Sequence, residues 1–229
     1  MAHFSTIIIS DVHLGSAVSR AECLTAMLKE NTFERLLLLG DIFDDLNFNR
    51  LRKSHWEVLS VIRELTDPMT GVEVVWVEGN HDEGLSQVAS HLIGVEVLQE
   101  YTWSDQGRNF LAIHGHQFDQ FISNHAFITD VADGFYKFLQ RLDREEQRLS
   151  RFAKKISKTW LRQSEKIAQQ ATEYGRQRGA DYVFCGHTHH SIRTESNGVR
   201  YVNSGCWTDV PATFIGITPA AVNIYQFEN

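Results

Sequence analysis

Proline is scarce, with 3 in 229 residues at positions 68, 211 and 219, and neither internal repeats nor low-complexity runs occur. No composition shift marks a linker, so a single domain spanning 1–229 is expected. Cysteine is as rare. Cys23, Cys185 and Cys206 are odd in number, scattered and form no CxxC pair. That excludes a disulfide framework and a thiolate metal site, and suits small core residues in a reducing compartment. A cytoplasmic location is expected. No run approaches the roughly 20 apolar residues of a membrane-spanning helix. The stretch from Met1 to Ser10 has no basic region followed by a long apolar one, so no signal peptide is expected.

The chain is 42% hydrophobic and 22% charged, ordinary for a soluble protein and long enough to bury a full core. Its net charge is −7, unevenly spread: residues 117–180 hold 12 of the 22 Lys and Arg but only 8 of the 29 Asp and Glu. A cationic segment in an acidic chain points to an anionic contact.

Apolar and β-branched runs at Phe4–Ser10, Arg35–Leu39, Val72–Val77, Val95–Leu98, Phe110–Ile113 and Tyr182–Cys185 read as strands. Helical patterns fall at Ala21–Lys29, with an N-cap among Ser16 and Ser19, at 48–65 and at Leu85–Ile93. Arg200–Asn203, Thr213–Thr218 and Val222–Phe227 read as closing antiparallel strands. This order predicts an α/β fold with a mixed central sheet, or two sheets packed face to face.

Asp, His and Asn gather just past the carboxyl ends of these strands, where ligands collect in such folds. They are Asp11 and His13, then Asp41 with Asp44 and Asp45, then Asn80-His81-Asp82, then His114 and His116, then His187 and His189. Side chains two apart in an extended segment point the same way, so His187 and His189 can face one point. Asp11, His13, Asp41, Asn80, His114, His187 and His189 offer oxygen and imidazole donors and no thiolate, which favours Mn2+, Fe2+ or Zn2+. Seven donors exceed one four-coordinate site and suit two ions about 3.5–4 Å apart that share a carboxylate. Such a pair clamps the attacking and leaving oxygens of a phosphoryl transfer. Asp44 is expected to support a ligand rather than bind metal, and His116 to contact substrate, support the site or bond to backbone. His190 is expected at the surface, and His3, His55, His91 and His125 at the surface or satisfied in the core.

The ordered set DxH, GDxxD, GNHD, HGH and GHTH, from Asp11 to His189, resembles the calcineurin-like metallophosphoesterases. The resemblance implies a sandwich of two mixed β-sheets flanked by helices, and two divalent ions with manganese the first choice. It implies Asp11, His13, Asp41 and His189 around one ion, and Asp41, Asn80, His114 and His187 around the other. It also implies His81 as the general acid that protonates the leaving oxygen, oriented by Asp82.

Seventy-two residues separate His114 from His187, far more than a loop needs, so a helical cap insertion at about 117–180 is expected. Between 135 and 174 there is no Gly or Pro, and basic residues recur at 137, 141, 144, 148, 151, 155, 158 and 162. An apolar series at 138, 142, 149, 152 and 156 keeps the same period one residue on, about 100° around a helix. A cationic stripe beside an apolar one is either a solvated face with a helix–helix seam or a cap for an amphiphilic anion. The insertion, together with Asn203-Ser-Gly-Cys-Trp207, resembles the UDP-2,3-diacylglucosamine diphosphatase branch of lipid A synthesis. The chain departs from familiar members of that branch at His81, where they carry arginine, and at His116, where they carry aspartate.

The expected function is therefore two-metal hydrolysis of a phosphoester or pyrophosphate, with a nucleotide–lipid diphosphate as the specific substrate. Peripheral contact of the cap with the inner face of a membrane goes with that reading. The alternative is a phosphatase or nucleotide phosphodiesterase acting on small soluble substrates. The intact His81–Asp82 pair and full donor set argue against a non-enzymatic scaffold. Overall acidity and the apolar stripe argue against a nucleic-acid substrate. The sequence carries no signal for an oligomeric state.

Overall fold

The computed structural model describes residues 2–45, 47–84, 90–91, 93–122 and 146–228. Most of the expected helix Leu85–Ile93, and 123–145 of the insertion with His125, Lys137, Arg141 and Arg144, lie outside the described residues.

Two mixed sheets form. In the first, β1 (His3–Ile9), β2 (Thr32–Leu39), β3 (Glu73–Val77) and β4 (Val97–Leu98) run parallel, and β10 (Ala212–Ile217) and β11 (Val222–Phe227) add antiparallel strands beside β1. In the second the order is β5 (Glu100–Asp105), β6 (Arg108–Ile113), β7 (Tyr182–Cys185), β9 (Val199–Asn203) and β8 (Arg193–Ser196). Its three central strands are parallel and its two edges antiparallel.

Alternation along the strands separates three apolar layers, because successive side chains face opposite sides of a sheet. Ile8, Leu37, Leu39, Val75 and Val77 of the first sheet meet Phe110, Ala112, Tyr182, Phe184 and Val202 of the second. The opposite face of the first sheet, including Ile7, Ile9, Leu36 and Leu38, is covered by α1 (Ala21–Glu30) and α2 (Lys53–Leu65) through Leu24, Met27, Val58 and Ile62. The outer face of the second sheet, including Leu111, Val183, Cys185 and Tyr201, is covered by α3 (His116–Ile122) and α4 (Glu146–Gln177) through Phe118, Ile167, Ala168 and Ala171. Gly175 lets α4 sit flat on β7, since a Cβ there would run into the Val183 side chain. Among the described residues, no helix is long and apolar enough to cross a membrane.

The strand at Tyr182–Cys185 falls at the residues its apolar run predicts, and the two-sheet sandwich flanked by helices is the architecture the resemblance implies. Other expectations need correction. Ser16 and Ser19 do not cap α1: its N-cap is Arg20, without a side-chain hydrogen bond, and the Ser19 hydroxyl donates to the Val12 carbonyl at 2.7 Å. The hydroxyl braces the loop after β1 instead. The three closing strands do not form one antiparallel unit either, because β9 belongs to the second sheet, parallel to β7, while β10 and β11 belong to the first. β5 and β8, which the sequence pattern does not reveal, are edge strands with largely exposed or half-buried residues and so lack a strong apolar alternation.

Candidate metal centre

The loops after β1 and β2 continue to pair beyond the sheet. Asp11 N donates to Gly40 O at 3.0 Å, Val12 N and His13 N to Asp41 O at 2.9 and 3.1 Å, and Leu14 N to Ile42 O at 2.8 Å. The second sheet joins them through Trp207 N to Asp11 O at 3.0 Å and His187 N to the Asp11 carboxylate at 3.0 Å. Gly40 and Gly186 allow these loops to close up: a Cβ on Gly40 would meet the His114 ring, and one on Gly186 would meet Ser10 and the Asp11 carboxylate.

Among the described residues, seven non-glycine residues have positive φ. Asp11, His13, Asp41, His187 and His189 are five of them, with φ between 50° and 66°. The other two, Gln106 and Asn197, each precede a glycine in a hairpin turn. A non-glycine left-handed residue costs on the order of 1–3 kcal/mol, and such residues cluster at functional sites. These conformations also correct the reading of His187 and His189. The segment is not extended there, and the two rings face neighbouring groups rather than one point.

The donors sort into groups. Asp11, His13 and His189 each bring an atom within 4.8 Å of the others, and so do Asp41, His114 and His187. In the first group, His189 Nε2 lies 3.2 Å from Asp11 Oδ1 and 3.2 Å from His13 Nε2. In the second, His114 Nε2 lies 3.3 Å from Asp41 Oδ2 yet makes no hydrogen bond. Asn80 Oδ1 is likewise buried without a hydrogen-bond partner. A third group joins His13, Asp44 and His81.

The donor set fits divalent ions. Ligands bound at about 2.0–2.2 Å stand roughly 3.0–3.5 Å from one another in octahedral or tetrahedral arrangements, and the separations above lie in that range. Buried polar atoms are normally satisfied, so the orphaned His114 Nε2 and Asn80 Oδ1 are atoms that a cation would satisfy.

The electrostatics follow from burial. Asp11 is 0% and Asp41 2% exposed. Burial alone would raise both carboxyls, but His189 and His114 outweigh it for Asp11, and His114, His81 and His13 do so for Asp41, leaving both below the usual carboxylate range. Reciprocally, burial works against protonation of His114 and His189, and the carboxylates override it. His114 is raised to about 9 by Asp41, and His189 is raised well above the ordinary value chiefly by Asp11. His116, half-buried, is pushed down to about 4 by burial and by His114 and His187.

Asp82 does something other than orient His81. Its buried carboxylate accepts from the backbone N–H of Phe43 at 3.0 Å and Ile42 at 3.2 Å, and from Trp76 Nε1 and Gly79 N at 3.4 Å. It ties the loop after β3 to the loop carrying Asp41. Burial and then Asp41 raise it to about 6. His81 is held instead by the Asp44 carbonyl, 2.7 Å from its Nδ1, and its backbone N–H donates to Asp41 Oδ1 at 2.9 Å. Asp44 itself faces His13 Nδ1 at 3.5 Å. His116 and His190 are half-buried, each with a buried Nδ1 lacking a hydrogen-bond partner. His55 is a core histidine whose Nδ1 accepts from Gly15 N and Arg52 N. His3 and His91 are exposed.

Sequence reasoning missed Asp119. Its Oδ2 lies 3.1 Å from His187 Nε2, and its Oδ1 accepts from Gln163 of α4. The available signal was spacing, since Asp119 follows His116 by one helical turn.

The signature of the calcineurin-like phosphoesterase superfamily domain matches residues 4–218. The chain belongs to this superfamily. Solved structures share the phosphoesterase fold at low sequence identity. An archaeal phosphodiesterase is 13% identical with a TM-score of 0.53, over 96% of this chain and 98% of that one. Vps29 from Chaetomium thermophilum is 10% identical with a TM-score of 0.53, over 97% and 88%. A Vps29 variant from Entamoeba histolytica is 14% identical with a TM-score of 0.50, over 98% and 99%. None of the curated proteins compared matches the sequence. The chain is thus a calcineurin-like phosphoesterase, a metal-dependent hydrolase whose Asp and His groups can hold divalent ions.

The contacts of Asp82 make a stability prediction. In Asp82→Ala the Ile42 and Phe43 N–H groups lose their buried acceptor, which should lower unfolding free energy by about 1–3 kcal/mol in denaturant titrations of the metal-free protein. Unchanged stability with lost activity would return Asp82 to the chemistry.

Proposed function

We propose that this phosphoesterase hydrolyses a phosphoester or pyrophosphate with two divalent ions. Asp11, His13, Asp41 and His189 would hold one, and Asp41, Asn80, His114 and His187 the other. The observation that carries the shared ligand is the placement of Asp41. Its carboxylate is buried, stands 3.3 Å from His114 of the second group, and feels the charge of His13 from the first. When bound, the ions neutralise charge on the phosphoryl oxygens and activate a water for in-line attack, with Mn2+ the first choice and Fe2+ or Zn2+ the alternatives.

His81 is the proton donor in this reading. A carbonyl oxygen can only accept, so His81 Nδ1 carries a hydrogen to Asp44 O, and Nε2 is the atom left to meet a leaving oxygen. The ring stands edge-on to His13 with centroids 4.9 Å apart, beside the first group. Asp82 contributes by fixing the loop that carries Asp41.

The insertion, about 117–180, is proposed as a cap. Its described helix α4 carries the basic stripe from Arg148 to Arg162 and reaches the GHTH loop through Trp160 Nε1, which donates to Thr188 O at 3.0 Å. A basic and an apolar series along the insertion's sequence suit an anionic amphiphile, specifically a nucleotide–lipid diphosphate of the UDP-2,3-diacylglucosamine kind, met at the inner face of a membrane. A second reading is a phosphodiesterase of small soluble substrates, which is compatible with the fold shared with the archaeal phosphodiesterase.

Asp41→Ala is expected to lose both ions, as read by elemental analysis, and two retained ions would overturn the ligand assignment. His81→Ala is expected to keep the ions and lose roughly two to four orders of magnitude in rate. The loss should shrink for p-nitrophenyl esters, whose leaving group needs little protonation; an equal loss for good and poor leaving groups removes His81 from the role. Replacing Arg144, Arg148 and Arg151 with Gln is expected to raise KM for a lipid-linked diphosphate, less so in added salt, while leaving small phosphoesters nearly unaffected. Unchanged parameters for both classes favour the small-substrate reading.

A further inference from the structure

The candidate ligand imidazoles present different nitrogens. His114 Nδ1 is engaged by the Leu39 carbonyl at 2.8 Å and His13 Nδ1 faces Asp44 at 3.5 Å, so both offer Nε2 to their groups. His187 is reversed. Its Nε2 faces Asp119 Oδ2 at 3.1 Å; a carboxylate only accepts, so Nε2 carries the hydrogen and Nδ1 is the nitrogen left to serve the group with Asp41 and His114. The His187 backbone has φ +66°, and no regular element sets its ring direction. The Asp119 contact does.

Asp119 is outside every strand-end motif. It lies on α3, and its second oxygen accepts from Gln163 Nε2 of α4. One helical turn away, Trp160 Nε1 donates to the carbonyl of Thr188, next to His187. Helix α4 therefore grips the metal loop twice, once at its backbone and once through Asp119 at the ligand ring.

We propose that Asp119 is a positioning residue that fixes His187 with Nδ1 toward the second ion, and that Gln163 ties this orientation to the seating of α4. Outer partners of metal-ligating histidines typically change metal affinity by about 10–100-fold. The inference rests on the two-ion reading above. It adds that the cap helix and the second ion are coupled: the ion favours the His187 orientation that α4 stabilises, and the reverse holds by linkage.

The test titrates Mn2+ calorimetrically into metal-stripped wild-type protein, Asp119→Ala, Asp119→Asn and Gln163→Leu, with hydrogen exchange of 160–177 followed with and without Mn2+. In Asp119→Ala one of the two constants should fall about 10–100-fold with the other unchanged, and Asp119→Asn, which keeps an oxygen acceptor, should recover most of the loss. Mn2+ should slow exchange along α4 in the wild type and do so less in Gln163→Leu. Wild-type protein that binds fewer than two ions overturns the two-ion reading itself. Given two ions in the wild type, Asp119→Ala with unchanged constants, or with both constants falling together, overturns the positioning role. Helix exchange indifferent to Mn2+ in the wild type overturns the coupling. Should Asp119→Ala fail to fold, Asp119→Asn and Gln163→Leu decide by the same two readouts.

Discussion

An ionised carboxylate removed from water must be met by positive charge, and Asp11 and Asp41 are both buried at the carboxyl ends of β1 and β2. The effective penalty is several kcal/mol per ion even after relaxation. Imidazoles from four loops converge to meet it: His13 after β1, His81 after β3, His114 after β6 and His189 after β7. Those loops come from two different sheets. The sandwich must therefore close with the carboxyl ends of both sheets on one side, and the inter-sheet core of Ile8, Leu37, Phe110 and Phe184 is what holds that registration.

Closing it strains the backbone. Five donors adopt left-handed conformations, which persist only where the surroundings over-determine them. The surroundings here are the backbone bonds between the β1 and β2 loops, the glycines that admit the His114 ring and the Asp11 carboxylate, and Asp82 accepting four donors behind Asp41. Scaffold and site are the same hydrogen bonds seen from two sides.

Each candidate ligand imidazole also has an outer partner: the Asp44 carboxylate for His13, the Leu39 carbonyl for His114, the Asp119 carboxylate for His187 and the Cys206 thiol for His189. A ring held at one nitrogen presents the other without loss of rotational freedom on binding, which is the general use of such partners. The partner of His187 leads away from the strand-end loops, since Asp119 lies on α3 and accepts from Gln163 of α4.

The sequence by itself determined the donor types, their place past strand ends and the strand Tyr182–Cys185, because residue chemistry and apolar runs are local properties. It also carried the family, through the order of five short motifs. Spacing by itself did not decide which donor meets which: the motif resemblance implied two sets, and only the tertiary structure supplied the contacts. His187 and His189 are two residues apart yet enter different groups, because left-handed φ values break the extended geometry that spacing assumes. Asp82 next to His81 turns to Ile42 and Phe43, forty residues away in the chain, since buried N–H groups there need an acceptor. Asp119 and Gln163 meet across a 43-residue gap that no periodicity links. Edge strands β5 and β8 and the sheet membership of β9 were hidden for the same reason. Pairing partners are set by long-range packing of three apolar layers, while local pattern records only which face of each element is dry.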